Sequence, residues 1–192
     1  AAYVDPASLT PPPSRRDLVW IDDAFPAGAV VESGLGGPTA WFTSQVPGEV
    51  FTGGRCLERT ARGLGQDFYA GGAEPLPVPA GAELFAHVWL DPADPPRALM
   101  LEFRSSDWKH RAVWGDWTTV NVTEGRTDKA DFLLVGPLPA AGRWERLAVA
   151  ADRIGLAGQK VTGIGFVQAD GHVRWDRCGA SVPDDPVKNP VR

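Results

Sequence analysis

The stretch from Glu83 to Ser105, "ELFAHVWLDPADPPRALMLEFRS", decides the fold. In its first part Leu84, Ala86, Val88 and Leu90 take alternate positions, with Phe85, His87, Trp89 and Asp91 between them. A period of two sends successive side chains to opposite faces of an extended chain, so the aliphatic row belongs in a core and the other row faces away from it. "DPADPP" then reads as a connection. The pattern resumes with Leu99, Leu101 and Phe103 opposite Met100, Glu102 and Arg104. The two runs predict a β-hairpin whose far face collects His87, Trp89, Glu102 and Arg104, side chains with aromatic and hydrogen-bonding capacity.

Working outward, short strands are expected at "LVWI" (18–21), "TAWFTS" (39–44), "RCLERTA" (55–61), "QDFYA" (66–70), "KHRAVWG" (109–115), "DFLLVG" (131–136), "RWERLAV" (143–149), "KVTGIGFVQ" (160–168) and "HVRWDRC" (172–178). The only helical candidate is a turn or two at "AADRIGL" (150–156), because Gly and Pro interrupt every other run. With 22 Gly and 18 Pro in the chain, frequent turns between strands point to an all-β antiparallel sandwich or jelly roll. No repeat recurs at a fixed period.

A chain of 192 residues holds one sizeable core and is short for two. The proline-bearing openings and closings "AAYVDPASLTPPPSRRD" (1–17) and "SVPDDPVKNPVR" (181–192) read as linkers. We expect a single module over 18–180, taken from a longer polypeptide. A hydrophobic fraction of 43% and a charged fraction of 22% are those of a soluble domain, and no apolar run reaches the length of a membrane span. The net charge of -5, with its cations scattered, argues against a nucleic-acid partner, which calls for a basic track.

Established catalytic patterns are missing. There is no GxSxG, HExxH or GxxxxGK[ST], and "GLGGPT" puts Thr39 where a third glycine would complete a dinucleotide fingerprint. His87, His110 and His172 are too far apart to form a local metal motif. Glu102 is the best single carboxylate for hydrolysis, but no second acid stands near it at strand spacing, as a glycosidase requires. Cys56 and Cys178 fit neither a metal knuckle nor a haem attachment site; they form one long-range disulfide or stay as two small buried thiols.

"WKHRAVWGDW" (108–117) carries three tryptophans, a His, two further cations and an Asp. If extended, it groups Trp108, His110, Ala112 and Trp114 on one face and Lys109, Arg111 and Val113 on the other. Trp108 and Trp114 would lie about 20 Å apart, too far for one sugar ring, so His110 with Trp114 is the local pair. Gly115 and Asp116 predict a loop that carries Trp117, where ligand contacts often occur. An aromatic ring offers a flat apolar face to the C–H surface of a pyranose while neighbouring His, Arg or Glu side chains engage its hydroxyls. Core packing is the competing reading, and it is the one assigned to Trp20, Trp41, Trp144 and Trp175. Asp22 and Asp23 with Asp176 could bind a structural Ca²⁺ if the first and last strands are neighbours; an Arg-paired strand end is the alternative. Asn121-Val122-Thr123 matches an N-glycosylation acceptor.

Taken in order, "WIDDAFPAGA", "ELFAHVWLDPADPPRALMLEF", "WKHRAVWGD", "GPLPAAGRWERLAVAADRIGL" and "KVTGIGFVQADGHVRWDRCG" resemble a β-sandwich module of large secreted planctomycete proteins, often found beside c-type cytochrome-like segments. The resemblance covers about Leu18 to Gly179. It implies a galactose-binding-like or lectin-like jelly roll in an extracytoplasmic protein; the companion CxxCH is absent here, so it implies no haem chemistry and no catalytic residue. The expectation is a non-catalytic carbohydrate-binding-like module that tethers a larger protein to a polysaccharide, through His87, Trp89, Glu102, Arg104, His110, Arg111, Trp114 and Trp117. A structural spacer packed against neighbouring domains is the alternative, and a glycoside hydrolase the third.

Overall fold

The computed structural model describes residues 14–36, 39–120 and 132–184. Among the described residues twelve strands follow one another: β1 (Arg15–Ile21), β2 (Val30–Ser33), β3 (Ala40–Thr43), β4 (Arg55–Ala70), β5 (Leu76–Val78), β6 (Glu83–Leu90), β7 (Ala98–Arg104), β8 (His110–Gly115), β9 (Phe132–Gly136), β10 (Trp144–Ala150), β11 (Gln159–Val161) and β12 (Gly163–Pro183). The expected helical candidate is a single 3-10 turn, Ala151–Ile154, ended by Gly155 in the left-handed conformation.

Two long strands organise everything else. β12 pairs with β7 and the end of β4 through residues 163–169, with β6 and the start of β4 through 173–176, and then with β6 and β1 towards its end. It turns between these stretches at Asp170 and Gly171, where φ is 60° and 79°. A Cβ on Gly171 would fall 2.4 Å from the backbone nitrogen of Pro96, so both the left-handed backbone and the close approach require glycine here. β4 breaks register at the same level, and each strand therefore serves two layers. The first layer holds β10, β6, the end of β12, the start of β4, β3 and β1. The second holds β9, β8, β7, the start of β12, the end of β4 and β2. Such corner-turning strands are how a sandwich of this kind closes its edges. The fold is an all-β sandwich of jelly-roll type.

Strand parity is as the sequence predicts. Leu84, Ala86, Val88 and Leu90 from β6 meet Leu99, Leu101 and Phe103 from β7 in one core with Trp175, Phe166 and Ile164 of β12. Each fully buried side chain of this size contributes roughly 1.5 to 3 kcal/mol. The partners differ from expectation, because β6 and β7 form no hairpin: β6 lies between β10 and β12, and β7 between β12 and β8. "DPADPP" carries the chain from one layer to the other. β8 and β9 also depart from an all-antiparallel order; they run parallel, an arrangement that two strands joined by a tight turn cannot adopt.

The first and last strands are neighbours, with Arg15 opposite Pro183, so their pairing reaches three residues beyond each end of 18–180. Cys56 and Cys178 are both buried free thiols. Cys178 points into the core shared by the two layers, whereas Cys56 alternates with core residue Leu57 and faces away. Opposite sides of a sheet cannot be bridged without moving the backbone, which replaces the expected disulfide with two separate thiols.

One charged pair sits between the layers. The Arg59 guanidinium clasps both oxygens of Asp67, and its Nη1 donates to the Gly36 carbonyl. The Asp67 carboxylate also accepts from the Thr39 backbone N–H at 2.8 Å. The pair thus fastens both ends of the loop joining β2 to β3.

Candidate functional site

With β6 and β7 in different layers, their outward rows face opposite sides of the molecule. The outer face of the second layer is ordered as rows across its strands. One row runs Phe68, Gly165, Glu102, Arg111 and Phe132, taken from β4, β12, β7, β8 and β9. The next places Gly163 between Ala70 and Arg104. The two glycines leave a floor of bare backbone on which aromatic rings rest. A Cβ at Gly163 would come 2.9 Å from Cη2 of Trp108, and one at Gly165 would come 2.7 Å from Cε1 of Phe68. The two rings meet edge to face, 4.9 Å between centroids, and the Arg104 guanidinium lies 5.9 Å from the Trp108 ring.

Glu102 stands beside these rings and is only 3% exposed. Its Oε1 accepts from Arg111 Nε at 2.7 Å, and Arg111 Nη2 donates to the Trp108 carbonyl at 2.7 Å. One guanidinium therefore ties the carboxylate to the backbone that carries the indole. Oε2 has no protein partner among the described residues. Burial pushes the Glu102 carboxyl above its ordinary value, against the pull of Arg111. A buried acceptor with an open lone pair next to two half-buried rings is suited to a hydroxyl-rich ligand that brings its own donor.

The other half of this face is covered. Ala98, Met100, Val113, Val167 and Ala169 form a second apolar cluster with Val120 and Phe132, and Trp117 packs against it. Trp117 opens a 3-10 turn, Trp117–Thr119, capped by Asp116, so it serves as a cover beside the platform.

His110 and Trp114 share a face, as predicted, but that face points inward. Trp114 is 5% exposed and belongs to the main core. His110 donates from Nδ1 to the Ile154 carbonyl at 2.6 Å, leaving Nε2 to accept from the Ser105 hydroxyl at 3.0 Å. It pins the loop carrying Trp108 to the 3-10 turn after β10. The parity of His110, Ala112 and Trp114 was legible, while the side on which the sheet partner would lie was not; Trp108, expected on their face, precedes β8 and lies with Arg111 on the outer face instead. Phe68 and the two glycines escaped the sequence reading. Applying the same alternation to "GLGQDFYA" and "GIGFVQ" would have set Gly163 and Gly165 on one face of their strand and Phe68 on the face opposite Tyr69.

The outer face of the first layer holds the remaining two of the expected set, His87 and Trp89. His87 is 6% exposed, sealed by Phe51, whose ring stacks on it at 3.8 Å. Burial holds its imidazole below the usual histidine range. The segment 44–54 folds over this end: Asp176 accepts from the N–H groups of Phe51 and Thr52 at 2.9 and 3.1 Å, and Trp144 donates to the Gly48 carbonyl at 3.0 Å. Trp144 is thus an outer-face residue, whereas Trp20, Trp41 and Trp175 belong with the core. Beyond this cover Trp89 remains half-buried. The Arg174 guanidinium lies 5.0 Å from its ring and 3.9 Å from that of Phe42. Arg174 Nε donates to Glu58 at 2.7 Å, and His172 stands between Glu58 and Asp91 at 2.9 and 3.0 Å.

Asp22, Asp23 and Asp176 are brought near one another but answer different donors. Asp22 accepts from the Thr52 hydroxyl, Asp23 from the N–H groups of Gly54 and Arg55, and Asp176 from Phe51, Thr52 and Arg177. Among the described residues no three acidic, His or Cys side chains are grouped as a metal-holding set, and each of these three carboxylates accepts from protein donors of its own. Asn121 lies outside the described residues. Among the described residues no helix is long and apolar enough to cross a membrane.

No protein-family model and no curated protein matches the chain. Solved structures do resemble it. A structure of domains CD, residues 230-489, superposes with a TM-score of 0.51 at 10% identity, over 88% of this chain and 66% of that one. The glycoside hydrolase domain of Endo-D from Streptococcus pneumoniae R6 gives 0.46 at 10% identity, over 81% and 21%. TmCBM61 in complex with β-1,4-galactotriose gives 0.46 at 8% identity, over 82% and 89%. The chain thus spans 21% of the length of the Endo-D structure and 66% of that of domains CD. At such identities the likeness concerns the β-sandwich fold alone.

Proposed function

We propose that this protein is a non-catalytic carbohydrate-binding module that holds a polysaccharide on the outer face of its second layer. Trp108 and Phe68 stack against sugar rings; Glu102 accepts from a hydroxyl through Oε2, and Arg104 and Arg111 flank it. The observation that carries this reading is the pair of rings on a glycine floor beside a buried carboxylate whose second oxygen has no protein partner. An apolar contact surface would not require that acceptor. A glycosidase would require a second carboxylate across a cleft, and the bonded neighbour of Glu102 is a guanidinium.

In this reading the module is extracytoplasmic and tethers a larger chain to glycan. The test is affinity electrophoresis in gels containing xyloglucan, β-1,4-galactan or xylan. Wild type is expected to be retarded by at least one of them. Trp108→Ala should weaken the affinity by roughly 30-fold, as for the loss of a central aromatic anchor, and Glu102→Gln by about tenfold, as for one charge-assisted hydrogen bond. Retardation unchanged by both substitutions rejects the platform. No retardation, with Trp108 protected only when flanking segments are present, favours the spacer; turnover of chromogenic glycosides that is lost in Glu102→Gln favours a hydrolase.

A further inference from the structure

The first layer carries a second aromatic patch, and its position has a consequence for valency. Trp89, Arg174 and Phe42 form a stripe on β6, β12 and β3, with the guanidinium between the two rings. Glu58 and His172 run alongside it, and the indole of Trp89 meets the His172 imidazole edge on at 5.8 Å. The bonds that hold this stripe leave functional groups over: Glu58 uses Oε1 for both Arg174 and His172, and Arg174 uses Nε and Nη1. Glu58 Oε2 and Arg174 Nη2 thus have no protein partner among the described residues. A half-buried indole flanked by one open acceptor and one open donor presents the same chemistry as the Trp108 platform.

From this arrangement we infer a second saccharide-binding site on the Trp89 stripe, which makes the monomer bivalent for polysaccharide. The inference rests on the saccharide reading of the Trp108 face. Sheets in a sandwich pack about 10 Å apart, and the two patches point away from each other. One glycan chain cannot lie on both without wrapping round the domain, so the sites engage separate chains or separate segments. The protein is then a cross-linker as well as an anchor.

The experiment uses beads coated with xyloglucan, β-1,4-galactan or xylan, and protein shown to be monomeric by sedimentation. Wild type is expected to clump at least one bead type. Trp89→Ala and Trp108→Ala should each still bind those beads but clump none, with apparent avidity reduced about a hundredfold, and the double variant should do neither. Glu58→Gln is a second, milder lesion on the Trp89 stripe; it should raise the protein concentration needed for clumping, and it decides the matter if Trp89→Ala does not fold. Clumping at the wild-type concentration by folded Trp89→Ala, or by Glu58→Gln if that variant must decide, overturns the second site and leaves the first standing. Loss of all bead binding in Trp108→Ala alone also overturns it. Absence of wild-type binding to all three coatings overturns both readings.

Discussion

Asp176 ties the cover over the first layer to the sheet beneath, and its charge makes that tie sensitive to pH. Burial raises its carboxyl from 3.8 to about 6, although three backbone N–H groups pull the other way and Asp22 adds a push upward. The native state therefore holds this proton more tightly than the unfolded chain does. The stability from that extra affinity is complete below pH 3.8 and is lost as pH rises through about 6. A shift of about two units corresponds to roughly 3 kcal/mol. Asp176→Asn removes the titration. Urea unfolding of both proteins at steps from pH 4 to 7.5 should show the stability of wild type relative to the variant falling by roughly 3 kcal/mol over that range. A flat difference would mean that the site is better solvated than its burial implies. A rising difference would mean that the N–H groups of Phe51, Thr52 and Arg177 outweigh burial, and would refute the reasoning.

Three further outcomes follow from the packing. Arg59→Met leaves Asp67 charged between the layers and should cost about 3 to 5 kcal/mol in thermal or urea unfolding, while Arg59→Met with Asp67→Leu should recover much of the loss. Gly165→Ala puts a methyl 2.7 Å from Phe68 Cε1; the ring must swing away, lowering polysaccharide affinity by about 2- to 10-fold with a smaller effect on melting temperature. Burial pushes the Cys56 thiol up to about 12 and raises that of Cys178 as well, so neither should react with a thiol-specific disulfide reagent at pH 8 until the protein is unfolded, when both should, and reductant should leave the melting temperature unchanged.

The sequence exposed the core more fully than the site. Alternation in "ELFAHVWLD" and "RALMLEFRS" identified every inward residue of β6 and β7 because burial selects apolar side chains one by one along a strand. Pairing carries no such local mark. Two strands joined by "DPADPP" satisfy the same alternation whether they share a layer or face each other across a core, and the second case sent Trp89 and Glu102 to opposite sides of the molecule. The same limit explains His110 and Trp114: their shared parity was readable, while the inward direction is set by β7 and β9 on either side of β8. Nothing in their own spacing marked β4 and β12 as single bent strands, since "ARG" at 61–63 and "ADG" at 169–171 look like ordinary turns. Those bends bring "GIGF" under Trp108 and Phe68, and so create the platform.

Trp108 is the most direct witness. Eight tryptophans give eight indole N–H resonances, and single substitutions assign them. Titration with soluble xyloglucan, β-1,4-galactan and xylan fragments should shift the Trp108 signal, and that of Trp89 if the second site also fills, while the buried indoles of Trp114 and Trp175 stay in place. A fragment that binds and moves other signals but leaves Trp108 where it was would contradict the account.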